Sequence, residues 1–242
     1  MLVILASRWD TAASAVAARW GPHQPVGIMT PQDLSVRGWR QQPGATDTGM
    51  EAVVVQRELI PQKEITGVLT RLQWVTDAEV IDLAIPDRAY AAAEMHAFLL
   101  SWLSRLKCPV LNPPTPICLS GPFWRAEQWA HAAARAGIPV HAIRRDTQSD
   151  PTAGIPPPVA SHAVTVIGRR AFGAADPVLL GYARRLAEIA GVALLTVRFC
   201  DDAGRGMTFV GADTLPALDD EQLQDAALEY LNGMRQQVSG GP

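Results

Sequence analysis

The sequence predicts an α/β fold, with a mainly parallel sheet in the N-terminal half packed with a smaller α+β C-terminal half. Short apolar runs alternate with longer amphipathic segments, and the first three elements read strand, helix, strand, as at the start of a parallel sheet. A proline-rich stretch without periodicity divides the chain. We therefore expect an N-terminal domain over 1–145, a linker over 146–161, a C-terminal half over 162–238 and a flexible tail over 239–242.

The opening segment predicts a buried strand from Leu2 to Ala6. It lacks the basic start of a signal peptide, and charge follows its apolar run at once. Asp10 or Thr11 can cap a helix that ends at Gly21 and Pro22. The run VGIM that follows predicts the second strand.

The rest of the N-terminal half predicts a polar loop, further strands and two helices. Residues 36–50 are rich in turn formers, whereas Val53–Val55 and Ile65–Leu72 are apolar and extended. A helical stripe of apolar residues follows Asp87, and PVLNPP predicts a brief strand. The second helix runs over about Trp124–Ala136 and closes at Gly137.

The C-terminal half predicts a strand in HAVTVIG and a helix that Asp176 caps, with Pro177 at its first position. VALLTVRF then predicts a strand, and residues 201–206 a hairpin turn into the strand MTFVG. A closing helix is expected over about Asp219–Gln236. Asp201 and Asp202 belong to that turn, although displaced metal ligands are the alternative.

Composition narrows the class of protein. A net charge of -3 and a sequence pI of about 5.9 argue against a protein built around nucleic-acid backbones. No apolar run reaches the length of a membrane span. The three cysteines, Cys108, Cys118 and Cys200, are widely spaced and are expected to be small buried side chains in a reducing compartment, the cytoplasm.

Three stretches together resemble the ATP-grasp superfamily, in particular glutathione-synthetase and ribosomal-modification ligases. One runs from Arg71 through DRAYAAAE to PVLNPPTP, the second is WRAEQWAHAAARAGIPV, and the third leads from VTVIGRRAF through ARRLAEIAGVALLTVRF to GMTFVGADTLPAL. The resemblance covers roughly residues 1–140 and 162–218. It implies a pre-ATP-grasp-like N-terminal domain, a central lid and a C-terminal subdomain that holds metal-bound ATP.

Two departures from the family pattern concern the chemistry that the resemblance implies. A short proline-rich connector joins Gly137 to Val164 where a lid is expected, and the chain has only two lysines, Lys63 and Lys107. Arg198 stands where an acidic metal ligand is expected. Gly211 and Asp213 stand at the expected glutamate and asparagine positions, so Asp213 is a weak metal candidate.

Other side chains are candidates for binding. Arg169 and Arg170 follow the strand VTVIG and can form an anion site at a sheet end, with plain solvated charge as the alternative. The pairs Arg144–Arg145 and Arg184–Arg185 have the same alternatives. Trp39 and Arg40, in a polar loop, have the composition of an interface, unless the ring packs on its own core.

No catalytic residue is predicted, since no GxSxG, P-loop, GxGxxG or metal-binding histidine spacing occurs. The leading hypothesis is a degenerate, non-catalytic ATP-grasp-like protein that needs no cofactor and recognises a partner protein, a peptide or an amino acid. One alternative is a carboxylate–amine or carboxylate–thiol ligase that uses ATP and magnesium and is completed by a partner subunit. Another is a scaffold or homodimer without a small ligand. Neither nucleic acid nor a membrane is expected as a partner.

Overall fold

The computed structural model describes residues 1–42, 51–141, 159–173, 176–202 and 206–239. Its helices and strands are, in chain order, β1 (Leu2–Ala6), α1 (Thr11–Trp20), β2 (Val26–Met29), β3 (Ala52–Val55), β4 (Glu58–Pro61), β5 (Gly67–Arg71), α2 (Ile85–Arg105), β6 (Val110–Leu111), α3 (Ala126–Arg135), β7 (His162–Ile167), β8 (Arg170–Gly173), α4 (Pro177–Ala190), β9 (Leu194–Asp202), β10 (Gly206–Asp213) and α5 (Glu221–Ser239). Among these helices, none combines the length and apolarity that a bilayer span requires.

The chain divides into two compact units. The first comprises Met1–Pro122 and Ala217–Pro242, and the second Phe123–Pro216. These bounds differ from the predicted division at 145 and 162, because the apolar face of α3 packs within the second unit and α5 belongs to the first. Most of the predicted linker, 146–158, and the tail residues 240–242 lie outside the described residues, while Ser239 is the last residue of α5.

The first unit contains a parallel sheet in the order β2-β1-β5-β6, which confirms the predicted parallel N-terminal sheet. The strands β1 and β5 are buried along their whole length, as expected for inner strands of a parallel sheet. The Asp10 side chain caps α1 by accepting from the Ala13 amide at 3.0 Å. Trp102 and Leu99 of α2 lie in the core beside Val3, Leu5 and Val68.

A hairpin of β3 and β4 accompanies this sheet. The sequence predicted the first strand but not the second. Gln56 and Arg57 both have positive φ, 52° and 66°, as the two central residues of a tight hairpin turn require. Neither is a glycine or an asparagine, so the usual turn signal is missing from the sequence.

The second unit contains an antiparallel sheet in the order β10-β9-β7-β8. The helices α3 and α4 pack on one face of this sheet, against Val164, Val166, Leu195, Val197 and Phe199. This arrangement agrees with the predicted α+β C-terminal half. The helix α4 begins at Pro177 after the Asp176 cap and ends at Gly191, whose φ is 65°.

Candidate functional site

The face of the second sheet that points away from α3 and α4 carries polar side chains. Side chains alternate between the two faces of a strand, so the residues between the core positions of β7 and β9 share this face. Thr165 and Thr196 are both buried and their hydroxyl oxygens lie 2.7 Å apart. Thr208 of β10 is also buried, and its hydroxyl lies 3.4 Å from the Cys200 sulfur.

Arg198 of β9 and Asp213 of β10 lie on the same polar face. The register pairs Arg198 with Gly211 and Thr196 with Asp213, and a bulge between Phe209 and Gly211 shifts the pairing on β10. This shift brings the Arg198 Nη2 to 3.5 Å from the Asp213 Oδ2. The two side chains are 44% and 33% exposed. The other carboxylate oxygen of Asp213 accepts from the Leu215 amide at 2.8 Å, which fixes its orientation.

This pair is a poor match to the chemistry of a magnesium site. Magnesium prefers octahedral coordination by oxygen atoms, and phosphoryl transfer places carboxylates around the metal. Here the Asp213 carboxylate forms an ion pair with the Arg198 guanidinium, and Gly211 opposite Arg198 has no side chain to act as a ligand. In the described parts of the chain, no three histidine, cysteine, aspartate or glutamate side chains converge as metal ligands would. The residues present at this position do not fit a bound magnesium ion.

Arg169 and Arg170 lie at a hairpin turn between β7 and β8. Ile167 pairs with Arg170, and Gly168 in the turn has a φ of 59°. The Arg170 guanidinium lies 5.0 Å from the centre of the Phe172 ring. As predicted, these arginines follow a strand, but β7 belongs to an antiparallel sheet, so the rule that ligands bind at the carboxyl ends of parallel strands gives them no support. The anion site itself stays a prediction.

Of the other arginine pairs, Arg185 donates through Nη1 to the Ala136 carbonyl at 2.6 Å, at the end of α3. Arg144 and Arg145 lie outside the described residues. Asp201 pairs with Met207 and Asp202 with Gly206, so the predicted hairpin is present, but both aspartates lie at the end of strand β9 and not in the turn where the sequence analysis placed them.

Trp39 packs inside the first unit. Its ring centre lies 5.1 Å from that of Phe98 and 6.0 Å from that of Trp102, both in edge-to-face geometry, and its indole N–H donates to the Asp33 carbonyl at 2.9 Å. Arg40 is exposed and its backbone pairs with Ala52. The contacts of the Trp39 ring correspond to the core alternative, whereas an interface at Arg40 stays a prediction.

The carboxyl ends of the parallel strands form a second polar site, which the sequence did not predict. Arg71 at the end of β5 donates through Nε to the Asp10 Oδ2 at 2.8 Å and through Nη2 to the Oδ1 at 3.3 Å. The two side chains are only 7% and 16% exposed. Arg8 and Gln32 both donate to the backbone carbonyl of Glu79, which closes the same edge of the sheet.

The topology explains why these residues meet. From β1 the chain turns to β2 on one side, and β5 then pairs on the other side of β1. Ligands of open α/β sheets bind where the strand order reverses in this way, outside the carboxyl ends of the strands. The sequence marks Asp10 as a helix cap and Arg71 as the end of an apolar run, but it does not show that β1 and β5 are neighbours.

Several solved structures are similar to the chain. An ATP-grasp ligase associated with ribosomally synthesised, modified peptides from Chryseobacterium gregarium, in complex with ADP and leader and core peptides, matches with a TM-score of 0.69, 10% identity and coverage of 96% of both chains. The macrocyclase MdnC from Microcystis aeruginosa, bound with its precursor peptide MdnA, matches with a TM-score of 0.70, 10% identity and coverage of 96% of this chain and 100% of that one.

The chain has an ATP-grasp-like fold. A RimK-domain ATP-grasp protein from Sphaerobacter thermophilus also matches, with a TM-score of 0.51, 14% identity and coverage of 99% of this chain and 100% of that one. No protein-family model and no curated protein sequence matches the chain. At these identities the ATP-grasp-like fold is established by three-dimensional similarity alone. The Arg198–Asp213 pair lies on the antiparallel four-stranded sheet, and the Arg71–Asp10 pair lies at the carboxyl ends of the parallel one.

Proposed function

We propose that this ATP-grasp-like chain is a non-catalytic protein that recognises a peptide or an amino acid within a peptide-modifying system. In this role it needs neither ATP nor magnesium. The observation that carries the proposal is the Arg198–Asp213 pair, because a guanidinium 3.5 Å from the one carboxylate lowers the negative charge that a magnesium ion would need. Fold does not dictate activity, so the peptide-binding role is argued separately.

Peptide recognition is supported by what similar structures hold. The Chryseobacterium ligase was solved with leader and core peptides, MdnC with a precursor peptide, and the ligase PsnB with a minimal precursor. These complexes support the proposal that the ATP-grasp-like fold of this chain also holds a peptide. The short connector between Gly137 and Val164 belongs to the same proposal, since it leaves few residues for a lid over a triphosphate.

Isothermal titration with magnesium and ATP tests the proposal. We expect no saturable heat when the nucleotide is raised through the micromolar range. A second titration, with magnesium and ADP, tests whether the chain binds the nucleotide product instead. Saturable micromolar binding of either nucleotide would refute the non-catalytic role. So would release of ADP when the chain is mixed with a partner subunit, since the chain would then be part of a ligase.

A further inference from the structure

The turn before α2 and the first part of that helix carry large apolar side chains in contact with solvent. Ile81 and Leu83 are 44% and 40% exposed, and Ile85 and Tyr90 are 77% and 71% exposed. The neighbouring Val80 is buried in the core of the first unit and fixes the turn to that core. We use the name 81–90 surface for the exposed side chains of Ile81, Asp82, Leu83, Ile85, Asp87 and Tyr90.

Hydrogen bonds hold this turn in one conformation. Arg88 donates through Nε to the Leu83 carbonyl at 3.0 Å and through Nη2 to the Ile81 carbonyl at 2.6 Å. The Leu83 amide donates to the Val80 carbonyl at 3.0 Å, and Pro86 lies in the first turn of α2. The apolar side chains are therefore presented on a fixed backbone. A partner that binds them does not have to order the loop first.

The charge around these apolar side chains is negative. Between residues 72 and 104 the chain has five carboxylates and a single arginine, Arg88. Asp82, Asp87 and Glu94 are exposed, and Asp87, Tyr90 and Glu94 lie at positions i, i+3 and i+7 on one face of α2. The contact from Arg8 to Asp82 is long, at 3.9 Å, and Asp82 is 82% exposed. The surface thus combines exposed apolar side chains with an excess of carboxylates over arginines.

We propose that the 81–90 surface is the docking site for a basic amphipathic segment of a peptide. Large apolar side chains exposed close together in the chain, as these are, are typical of interaction sites, and a tyrosine among them is a typical energetic anchor. Lysine or arginine side chains of the segment pair with Asp82 and Asp87 of this surface and with the adjacent Glu94, which selects against acidic peptides. The inference rests on the proposed peptide-recognising role and adds where and by which chemistry the peptide is held.

Fluorescence anisotropy with two labelled probes tests the inference. The first probe is a helical peptide of about 18 residues, or about five turns, with leucine on one face and lysine on the other. The second probe is the same peptide with glutamate in place of every lysine. We expect the lysine probe to bind the full chain at least about tenfold more tightly than the glutamate probe. Ile85→Ser is expected to weaken binding of the lysine probe about tenfold or more. Asp87→Asn is expected to weaken binding of the lysine probe by a smaller factor than Ile85→Ser does. That factor should be larger at low salt than at high salt.

Val178→Ser is the matched control, since Val178 is also exposed, β-branched and in the first turn of a helix, α4. Equal effects of Ile85→Ser and Val178→Ser, equal binding of both probes, or no binding of the lysine probe would each overturn the inference. So would a dimer in sedimentation experiments that Ile85→Ser abolishes, because the occupant would then be a second copy of this chain. Nucleotide binding would refute the proposed role and leave the probe result intact, so the two failures are distinguishable.

Discussion

The buried Arg71 guanidinium donates hydrogen bonds to both carboxylate oxygens of Asp10, so each side chain compensates the buried charge of the other. Arg71→Ala leaves a carboxylate in a largely dry environment and is expected to lower the free energy of unfolding by about 3–5 kcal/mol. Arg198→Ala removes an exposed pair and is expected to cost about 1 kcal/mol or less. Urea denaturation of both variants checks this. Similar losses for the two would show that burial does not govern the Arg71 pair.

His96 gives the folded chain a dependence on pH. Burial lowers the pKa of its imidazole below the ordinary value of 6.5, and its Nδ1 is buried with no hydrogen-bond partner among the residues that the structure describes. The unfolded chain therefore binds the proton at a higher pH than the folded chain, so stability falls as the pH drops below about 6.5. Denaturation at pH 7 and pH 5.5 should show this loss, and His96→Gln should reduce it.

Asp225 does not confound this test. The Arg19 side chain lowers the pKa of the Asp225 carboxyl, so this group acts only as the pH falls below its ordinary value of 3.8. The stability that it contributes is present above that value and is lost at more acidic pH. An unchanged slope between pH 7 and pH 5.5 in His96→Gln would contradict the role of His96.

Among the secondary structure elements, β8 depends on a glycine. Gly173 has a φ of 117°, and a Cβ built there lies 2.3 Å from the Ala163 carbonyl oxygen. Gly173→Ala is therefore expected to destabilise the chain by about 1–3 kcal/mol. Gly181 lies inside α4, and no atom of a described residue comes within 4 Å of an added Cβ, so Gly181→Ala is expected to stabilise the chain by about 0.5–1 kcal/mol. Opposite signs in thermal denaturation are the predicted result.

The elements with strong periodicity or caps follow from the sequence, and the short hairpins do not. Asp10 and Asp176 cap helices at the predicted places, and the apolar runs of β1 and β5 are buried strands. The predicted start of α2 at Asp87 falls two residues inside the helix, because Ile85 and Pro86 already form its first turn. The strand β8 was missed because Arg170–Gly173 is short and half exposed, with no alternating apolar pattern.

At the scale of the whole molecule, one of the two polar pairs could be predicted from the sequence and the other could not. The family resemblance assigned Arg198, Gly211 and Asp213 to the same expected metal site, and the register of β9 and β10 makes them neighbours. The contact of Arg71 with Asp10 depends instead on the sheet order β2-β1-β5-β6. Side-chain types and spacing along the chain carry no record of that order, so this pair could not be predicted.

The core of the second unit decides which fragment of the chain folds alone. Its buried residues include Trp129, Ala133 and Ile138, which precede the predicted boundary at 162. A fragment over 123–216 keeps this core complete, whereas a fragment over 162–238 loses the α3 face that covers β7 and β9. We expect cooperative urea unfolding, followed by circular dichroism, for the first fragment only. A cooperative transition in the second fragment would show that α3 is dispensable, because the exposed face of the sheet would then be stable without its apolar cover.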